Sequence, residues 1–309
     1  MIDLRFGLWR LLALGLLAVA SSARAQELEP RAYAPSPMNA NFFLASYSYQ
    51  SGDVLFDPSL PFTDVRAFIH GFVGGYGHTF SLFGRIASVA VAVPYVWASV
   101  DGNVGETYQA ITRSGLGDPR LRFVVNLLGG PALSMSEFMK RKPEPTLGFG
   151  LVVVVPTGQY SNEKLINIGS NRWAFRPELG LSFPVGRWTL EAAAGVWLFL
   201  DNIHTYPGEN VRSQDPLYTL QAHVGYTVRP GLWIAADGTY YAGGKTYTND
   251  VPGDTRQANS RVGLTASVPV ARGHSVKVSA SRGVDARIGS QFTAVGVAYQ
   301  YFWLSRPGK

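Results

Sequence analysis

Residues 172–185 of the chain read RWAFRPELGLSFPV. From Trp173 to Val185 every second residue is apolar, aromatic or proline, whereas the residues between them include Arg176 and Glu178. Side chains of a β-strand alternate between two faces, so this period of two predicts a strand with one apolar and one polar face. The alternation extends over more residues than a typical strand of a soluble sheet, which averages about 5 to 6 residues. We therefore expect a long strand that separates two chemically different environments.

Four further segments repeat this alternation, at residues 119–127, 218–228, 261–270 and 294–303. Short turn sequences join some of the segments, at residues 82–85, 184–187, 229–231 and 271–273. Longer polar segments join the others, at residues 51–62, 101–117, 157–171, 201–216, 244–258 and 285–289. Short turns at one end of the strands and long loops at the other are typical of outer-membrane barrels.

The turns and loops divide the chain into about twelve strands, an even number as in bacterial barrels. The expected strands are residues 40–50, 63–80, 85–100, 117–128, 146–156, 171–184, 187–201, 216–228, 231–243, 257–270, 274–284 and 290–303. A propeller also repeats every ~40 to 45 residues, but each blade needs four short strands where this chain offers two long ones. The predicted fold class is all-β, a transmembrane up-and-down antiparallel β-barrel over residues 39–303. Counts of ten or fourteen strands stay open, and residues 131–145 form an insertion for which a short helix is one candidate.

The N-terminus has the three regions of a secretory signal peptide. Arg5 and Arg10 are basic, residues 11–20 are apolar, and residues 23–25 read ARA, a small-x-small cleavage site. The apolar run is too short for a membrane span, which takes about 20 residues. We predict residues 1–25 as a signal peptide, residues 26–38 as a periplasmic segment and residues 304–309 as a C-terminal tail. Export of such a barrel implies the bacterial outer membrane.

Composition excludes several classes of function. The chain has no cysteine, which rules out disulfides, thiolate metal sites and thiol nucleophiles. Without residues 1–25 the net charge falls from +6 to +4, too mild and dispersed to predict nucleic-acid binding. None of the five histidines stands in a recognisable catalytic motif. We expect no enzyme activity, no catalytic residue, no metal and no cofactor.

Aromatic residues gather at both ends of the expected strands. Those at the long-loop ends are Tyr95, Trp97, Trp173, Tyr218 and Tyr240. Those at the short-turn ends are Trp188, Tyr226, Tyr299, Tyr301 and Trp303. Two bands of amphipathic rings are typical of the two interfaces of a membrane, so their location supports the barrel.

Two stretches resemble a known family. Residues 115–123 read GLGDPRLRF and open one strand, and residues 156–173 read PTGQYSNEKLINIGSNRW and join two others. Together they resemble the outer-membrane proteins named for the meta-pathway of phenol degradation. The resemblance covers about residues 39–303 and implies a barrel that passes small hydrophobic or aromatic compounds, distantly similar to fatty-acid uptake channels. Those channels carry a substantial N-terminal plug, whereas only residues 26–38 precede the first strand here.

The motif residues have a physical interpretation of their own. They are Gly115, Gly117, Asp118, Pro119, Pro156, Thr157, Gly158, Asn167, Gly169 and Asn171. The glycines permit positive φ at junctions of loop and strand, the prolines start or end strands, and the asparagines can close side-chain turns. This chemistry favours loop architecture over direct ligand contact.

If the apolar residues face lipid, the polar residues of each strand face the lumen, because a charge facing lipid at midplane costs about 2 to 4 kcal/mol. The pore-lining candidates are Arg120, Arg122, Asn126, Arg172, Arg176, Glu178, Glu191, Gln221, His223, Asp237, Arg261 and Lys277, with Thr239 and Thr265 on the same face. For Arg172, Arg176, Glu178 and Glu191 a structural ion-pair network is favoured over contact with a solute. Arg120 and Arg122 lack an equally close acidic neighbour in the sequence and are the strongest pore-lining candidates.

The sequence thus favours an outer-membrane channel for uptake of small hydrophobic or aromatic compounds. Solute is expected to enter through residues 101–117, 157–171 and 201–216 and to pass down a polar-walled lumen or leave laterally. The alternative is a structural or surface-interaction barrel whose lumen is plugged by side chains. The expected partners are outer-membrane lipid, a small-molecule solute and the barrel-assembly machinery, and the protein is expected to be a monomer.

Overall fold

The computed structural model describes residues 29–55 and 62–305. The predicted signal peptide lies outside the described residues. In chain order the strands are β1 (Ala40–Leu55), β2 (Phe62–Leu82), β3 (Arg85–Val104), β4 (Thr107–Leu116), β5 (Arg120–Leu128), β6 (Thr146–Val154), β7 (Ala174–Val185), β8 (Trp188–Phe199), β9 (Asn202–Thr205), β10 (Asn210–Gln214), β11 (Leu217–Arg229), β12 (Leu232–Gly243), β13 (Thr246–Thr248), β14 (Val251–Pro252), β15 (Gln257–Ala271), β16 (His274–Ala286) and β17 (Gly289–Leu304). One helix, α1 (Met135–Phe138), lies between β5 and β6.

Twelve of these strands form one closed antiparallel barrel. They are β1, β2, β3, β5, β6, β7, β8, β11, β12, β15, β16 and β17. Each pairs with the next along the chain, and the barrel closes where β1 pairs with β17 from Ala40 opposite Leu304 to Leu55 opposite Gly289. The predicted fold class and strand number are confirmed.

Several segments predicted as loops contain strands. β3 continues to Val104, and β4 returns along it, so most of residues 101–117 is a hairpin. β9, β10, β13 and β14 build a separate four-stranded sheet from residues that were expected to be loop. A hairpin that extends beyond the barrel into water can be polar on both faces. Such strands therefore lack the apolar alternation by which the barrel strands are recognised.

The insertion at residues 131–145 contains the short helix α1. Ser134 caps it, accepting a hydrogen bond from the Glu137 backbone N–H, while the Glu137 carboxylate accepts one from the Ser134 backbone N–H at 2.9 Å. This reciprocal arrangement stabilises the first turn of a helix that has no buried residue.

No helix within residues 29–55 and 62–305 is long and apolar enough to cross a membrane.

The two faces of the barrel wall differ as the alternation predicts. On β7, Leu179 and Leu181 are exposed on the outside, whereas Arg176 and Glu178 are buried on the inside. Within each of the two expected bands, neighbouring rings contact one another on the outer surface. The ring centroids of Tyr95 and Trp97 are 4.6 Å apart in one band, and those of Trp188 and Tyr226 are 4.9 Å apart in the other. The outer surface therefore presents apolar side chains between two aromatic bands, as a lipid-facing wall requires.

Candidate functional site

The polar side chains expected in the lumen all lie on the inner side of the barrel. Those that are buried are Asn126, Arg172, Arg176, Glu178, Gln221, His223, Asp237, Thr239, Arg261 and Thr265. Those that are half-buried are Arg120, Arg122, Glu191 and Lys277. Four of them, Arg122, Arg176, Glu178 and Glu191, contact a segment that was expected to lie outside the barrel.

That segment is residues 29–35, which enters the lumen and is called the plug below. The Glu29 carboxylate forms ion pairs with Arg122 and, at 3.8 Å, with Arg176. The backbone N–H of Arg31 donates to Glu191 Oε2 at 2.6 Å, and its guanidinium donates to Thr227 Oγ1 at 2.7 Å. These contacts hold the plug against the inner wall from β5 to β11.

Tyr33 anchors the plug in a pocket made by three glycines. Its ring is 4% exposed, and its hydroxyl donates a 2.7 Å hydrogen bond to Glu178 Oε1. A Cβ on Gly148 or Gly150 would come within 2.5 Å of the tyrosine, and a Cβ on Gly180 would overlap its ring. The glycines face inward on β6 and β7 because the ring occupies the space that their side chains would take.

Arg122, which has no close acidic neighbour in the sequence, has two acidic partners in space. Besides Glu29 it has Glu178 at 3.8 Å, and Glu178 in turn lies 3.6 Å from Arg176. The partner was missed because Glu29 lies before the first strand and Glu178 lies on β7, and only closure of the barrel and entry of the plug bring them together. Arg122 therefore holds the plug.

The charge of Glu29 does not change across the ordinary pH range. Burial opposes ionisation of its carboxyl, but the guanidinium groups of Arg122 and Arg176 outweigh that effect and lower its pKa to about 2. Because the pKa is depressed, the stabilising attraction is present above the ordinary pKa of a glutamate and is lost only as the pH falls through about 2. The plug is thus held electrostatically at neutral and mildly acidic pH.

A second polar group lies beside the plug on β11, β12 and β15. His223 Nδ1 is 2.7 Å from Asp237 Oδ1, and Thr265 donates to Asp237 Oδ2 at 2.7 Å. A cavity of about 10 Å³ separates His223 and Gln221 from Glu29 and Tyr33, which is room for about one water molecule. The plug thus fills its side of the lumen closely.

A polar wall was expected around the whole lumen, but part of the inner wall is apolar. Near the long-loop ends of the strands, six inward-facing residues form a cluster that we call the apolar band: Val152, Val154, Ala174, Trp197, Leu217 and Tyr241. Arg176 stacks on the ring of Trp197 with its guanidinium carbon 5.1 Å from the centroid. The band was missed because Trp197 and Tyr241 stand at strand ends, where aromatic residues also fit the outer interface.

The loop of residues 157–171 folds back over the long-loop end of the barrel. Its Ile166 is buried in a second cluster, the loop cluster, with Val54, Val65, Ala67, Val100 and Phe292. Arg113 of β4 donates to the Ile166 carbonyl at 3.1 Å. The loop therefore covers the lumen on the side of β1, β2, β3 and β17.

The motif residues hold this loop in place. Asp118 is buried and accepts hydrogen bonds from the Gly158 N–H at 2.9 Å, the Ser170 N–H at 2.8 Å and the Ser170 hydroxyl at 2.6 Å. Asn167 closes a turn by accepting from the Ser161 N–H at 2.8 Å and donating to the Lys164 carbonyl at 2.8 Å.

The reason given for three of the four motif glycines is wrong. Gly117, Gly158 and Gly169 do not adopt positive φ. A Cβ on Gly158 would lie 2.6 Å from Asp118 Oδ1, and one on Gly169 would lie 2.6 Å from the Gly158 carbonyl oxygen. Close approach of backbone segments is the physical requirement at Gly158 and Gly169. Positive φ occurs instead at Gly115 and at Asn171, which has a φ of 52°.

These motifs and this barrel can be placed among known proteins. The family model described as "Putative MetA-pathway of phenol degradation" matches residues 50–301. The chain belongs to this family. The match includes both motif segments and excludes the plug, which lies before residue 50.

Solved structures share the fold of this family member. An outer membrane channel from Pseudomonas putida F1 is 19% identical, with a TM-score of 0.77 over 90% of this chain and 100% of that one. The transport unit of the autotransporter AIDA-I from Escherichia coli is 10% identical, with a TM-score of 0.52 over 97% and 99% of the two chains. The β domain of the Bordetella autotransporter BrkA is 12% identical, with a TM-score of 0.50 over 86% and 100%. No curated protein matches the chain. These similar structures are a channel and two autotransporter barrels, and none of the three is described as an enzyme.

Within residues 29–55 and 62–305, no group of three or more His, Cys, Asp or Glu side chains could hold an ion. The buried charges instead pair with one another and with the plug, so the interior of this part is organised by ion pairs and hydrogen bonds.

Proposed function

We propose that the protein is a monomeric outer-membrane channel, without enzyme activity, for uptake of small hydrophobic or aromatic compounds. The observation that carries this proposal is the open space inside the barrel, bordered by half-buried or exposed Gly, Ala and Ser residues of β16, β17, β1, β2 and β3. Water-filled pores are polar inside, whereas an apolar lining favours solutes that lose little on leaving water. Membership of the phenol-degradation family supports the same class of solute. The aromatic bands on the outer wall support a place in outer-membrane lipid, reached through the barrel-assembly machinery.

Exposure of the inner wall supports a route for the solute. On β6, β7, β11 and β12 nearly all inward-facing residues are buried, because the plug lies against this side. On β16, β17, β1, β2 and β3 the inward-facing residues at mid-height are half-buried or exposed, for example Ser48, Ala90 and Ala298. Half-exposed residues on the inside of a closed barrel border open space. We infer that the passage runs along this second side, called the open wall below.

The chemistry of the open wall fits an uncharged solute. Its inward-facing residues are mostly Gly, Ala and Ser. Ser48 lies beside Gly71 and Gly296: a Cβ added to Gly71 would come within 2.9 Å of the serine side chain, and one added to Gly296 within 3.8 Å. Small residues leave room in the lumen, and hydroxyls can hydrogen-bond a solute such as a phenol. Arg122, one of the two arginines expected to line the pore, is engaged by the plug through Glu29.

A transport measurement tests the proposed function. We expect vesicles with lipopolysaccharide in the outer leaflet to take up labelled phenol several-fold faster when they contain the protein. Uptake of arabinose, a hydrophilic solute of similar size, should change much less, because the small side chains of the open wall offer few partners to its several hydroxyl groups. Equal phenol uptake with and without the protein would remove the channel proposal.

Cysteine labelling tests the route, since the natural chain contains no cysteine. Ala298→Cys on the open wall should react with a small water-soluble methanethiosulfonate, and the reaction should reduce phenol uptake. The matched control is Ala235→Cys, which also faces inward but is 3% exposed on β12 beneath the plug, and it should stay unlabelled. Equal labelling of the two positions would contradict the route while leaving the channel function intact.

A structural or surface-interaction barrel is the second candidate function. The plug favours it, because Tyr33, Glu29 and Arg31 fill one side of the lumen. The two candidates differ in transport, since a barrel of this second kind would carry neither phenol nor ions.

A further inference from the structure

A cavity of about 640 Å³ opens at the short-turn end of the barrel, below the plug. Residues 31–35 of the plug, the insertion that contains α1, and the turns after β7 and β11 enclose it. Its volume lies within the range of small-molecule sites, about 300 to 1,000 Å³. Its position separates it from the apolar band and from the open wall.

The charges around this cavity are strongly unequal. Four arginines line it, Arg31, Arg141, Arg187 and Arg229, against a single carboxylate, Glu144. No ion pair joins Glu144 to any of the four within the described residues, and its Oε1 instead accepts from the Gly130 N–H at 3.2 Å. An excess of guanidinium groups around one space attracts an anion, and the planar guanidinium matches a carboxylate with two parallel hydrogen bonds.

Two of the arginines have donors that meet no acceptor. Arg31 Nε and Arg141 Nη1 are buried without a hydrogen-bond partner in the described part of the chain. Both guanidinium groups are held partly away from water, and this burial lowers their pKa. A guanidinium group held partly away from water has lost part of its hydration, so it attracts an anion beside it in the cavity more strongly than it would in bulk water.

Apart from Ser182, Thr189 and Thr227, the rest of the lining is apolar. Phe138 lies under the Arg141 guanidinium at 4.6 Å, and Val228 with prolines 35, 143, 184 and 230 completes the wall. Prolines present fixed apolar surface, so a ligand loses little freedom in contacting them. The lining therefore offers an apolar surface for the body of a ligand and guanidinium groups for its charge.

We propose that this cavity binds a small organic acid, with its carboxylate against the arginines and its apolar body against Phe138 and the prolines. Arg31 belongs to both the cavity and the plug, so the bound acid contacts the segment that fills the lumen above it. The site is independent of the channel function, because binding is measurable without transport.

Calorimetric titration of the full chain in detergent at low salt tests the site, with benzoate as probe. We expect saturable binding of one benzoate per chain, weakened at least tenfold in the double variant Arg187→Gln and Arg229→Gln. Both side chains are exposed and stand in or beside turns, so their loss leaves the barrel folded. The matched control is Arg272→Gln, an exposed arginine in the turn after β15 that does not line the cavity, and its affinity should equal that of the natural chain.

Two further probes measure separately how much the charge and the aromatic ring of benzoate contribute to binding. Benzyl alcohol has the ring without the charge, and inorganic phosphate has charge without the ring, and each should bind at least tenfold more weakly than benzoate. Absence of saturable benzoate binding, or equal weakening by Arg272→Gln, would overturn the site. Phosphate binding as tight as that of benzoate would overturn the apolar part of the proposal, and tight binding of benzyl alcohol would overturn the electrostatic part.

Discussion

Gly180→Ala is expected to raise the conductance of the channel several-fold. The added methyl group would occupy the space of the Tyr33 ring, and the strand cannot yield because Gly180 pairs with Gly148 on one side and Ala193 on the other. Expelling the ring also breaks the hydrogen bond from its hydroxyl to Glu178. The plug then loses its anchor, and the space it filled becomes part of the passage.

Single-channel recording in planar bilayers measures this effect, and heat-modifiable migration on gels confirms that the barrel is folded. Gly238→Ala is the matched control, because a Cβ at Gly238 of β12 meets nothing within 4 Å. Deleting residues 29–35 should reproduce the increase. A folded Gly180→Ala protein with natural conductance would show that the plug does not limit the passage.

Asp118→Ala is expected to release the loop of residues 157–171 and to speed tryptic cleavage after Lys164 by about tenfold or more. The carboxylate accepts three hydrogen bonds from Gly158 and Ser170, and each bond to a charged acceptor contributes about 1.5 to 3 kcal/mol. Loss of about 1.4 kcal/mol already multiplies the open population by about ten. Lys164 is exposed, so cleavage reports opening of the loop rather than unfolding of the barrel.

The same variant should accelerate phenol uptake, because Ile166 leaves the loop cluster when the loop opens. Asp118→Asn retains one carbonyl oxygen and should lie between the two. Asp201→Ala is the control, since this exposed carboxylate follows β8 and takes no part in holding the loop. Natural rates of cleavage and uptake in Asp118→Ala would contradict the role of the loop as a cover.

The barrel strands were predictable because the residue pattern of each strand reflects what its two faces contact. The alternation of Arg176 and Glu178 with Leu179 and Leu181 needs only lipid on one side and a lumen on the other. The same local logic placed the aromatic bands and the loop motif. This logic failed for segments that lie between neither lipid nor lumen, as in the hairpin that β4 forms with the end of β3 beyond the barrel.

The arrangement inside the lumen could not be predicted in the same way. Glu29 contacts Arg122 across 93 positions of sequence, and Tyr33 contacts Glu178 across 145. The sequence did contain one signal, since Gly148, Gly150 and Gly180 all fall on the inner face of β6 and β7. Three glycines on one face indicate an object packed against them, although they do not identify it as Tyr33.

The sequence by itself determined the barrel, the face that meets lipid and the family, and it placed the strand number at about twelve, because these depend on residue period and on short contiguous motifs. Only the tertiary structure decided that residues 29–35 fill one side of the lumen, that Arg122 holds this plug, and that small uncharged residues border the open side. The physical reason is closure. Inward-facing side chains from twelve strands share one narrow space, and which of them meet depends on the register of the whole barrel and on the segment that enters it.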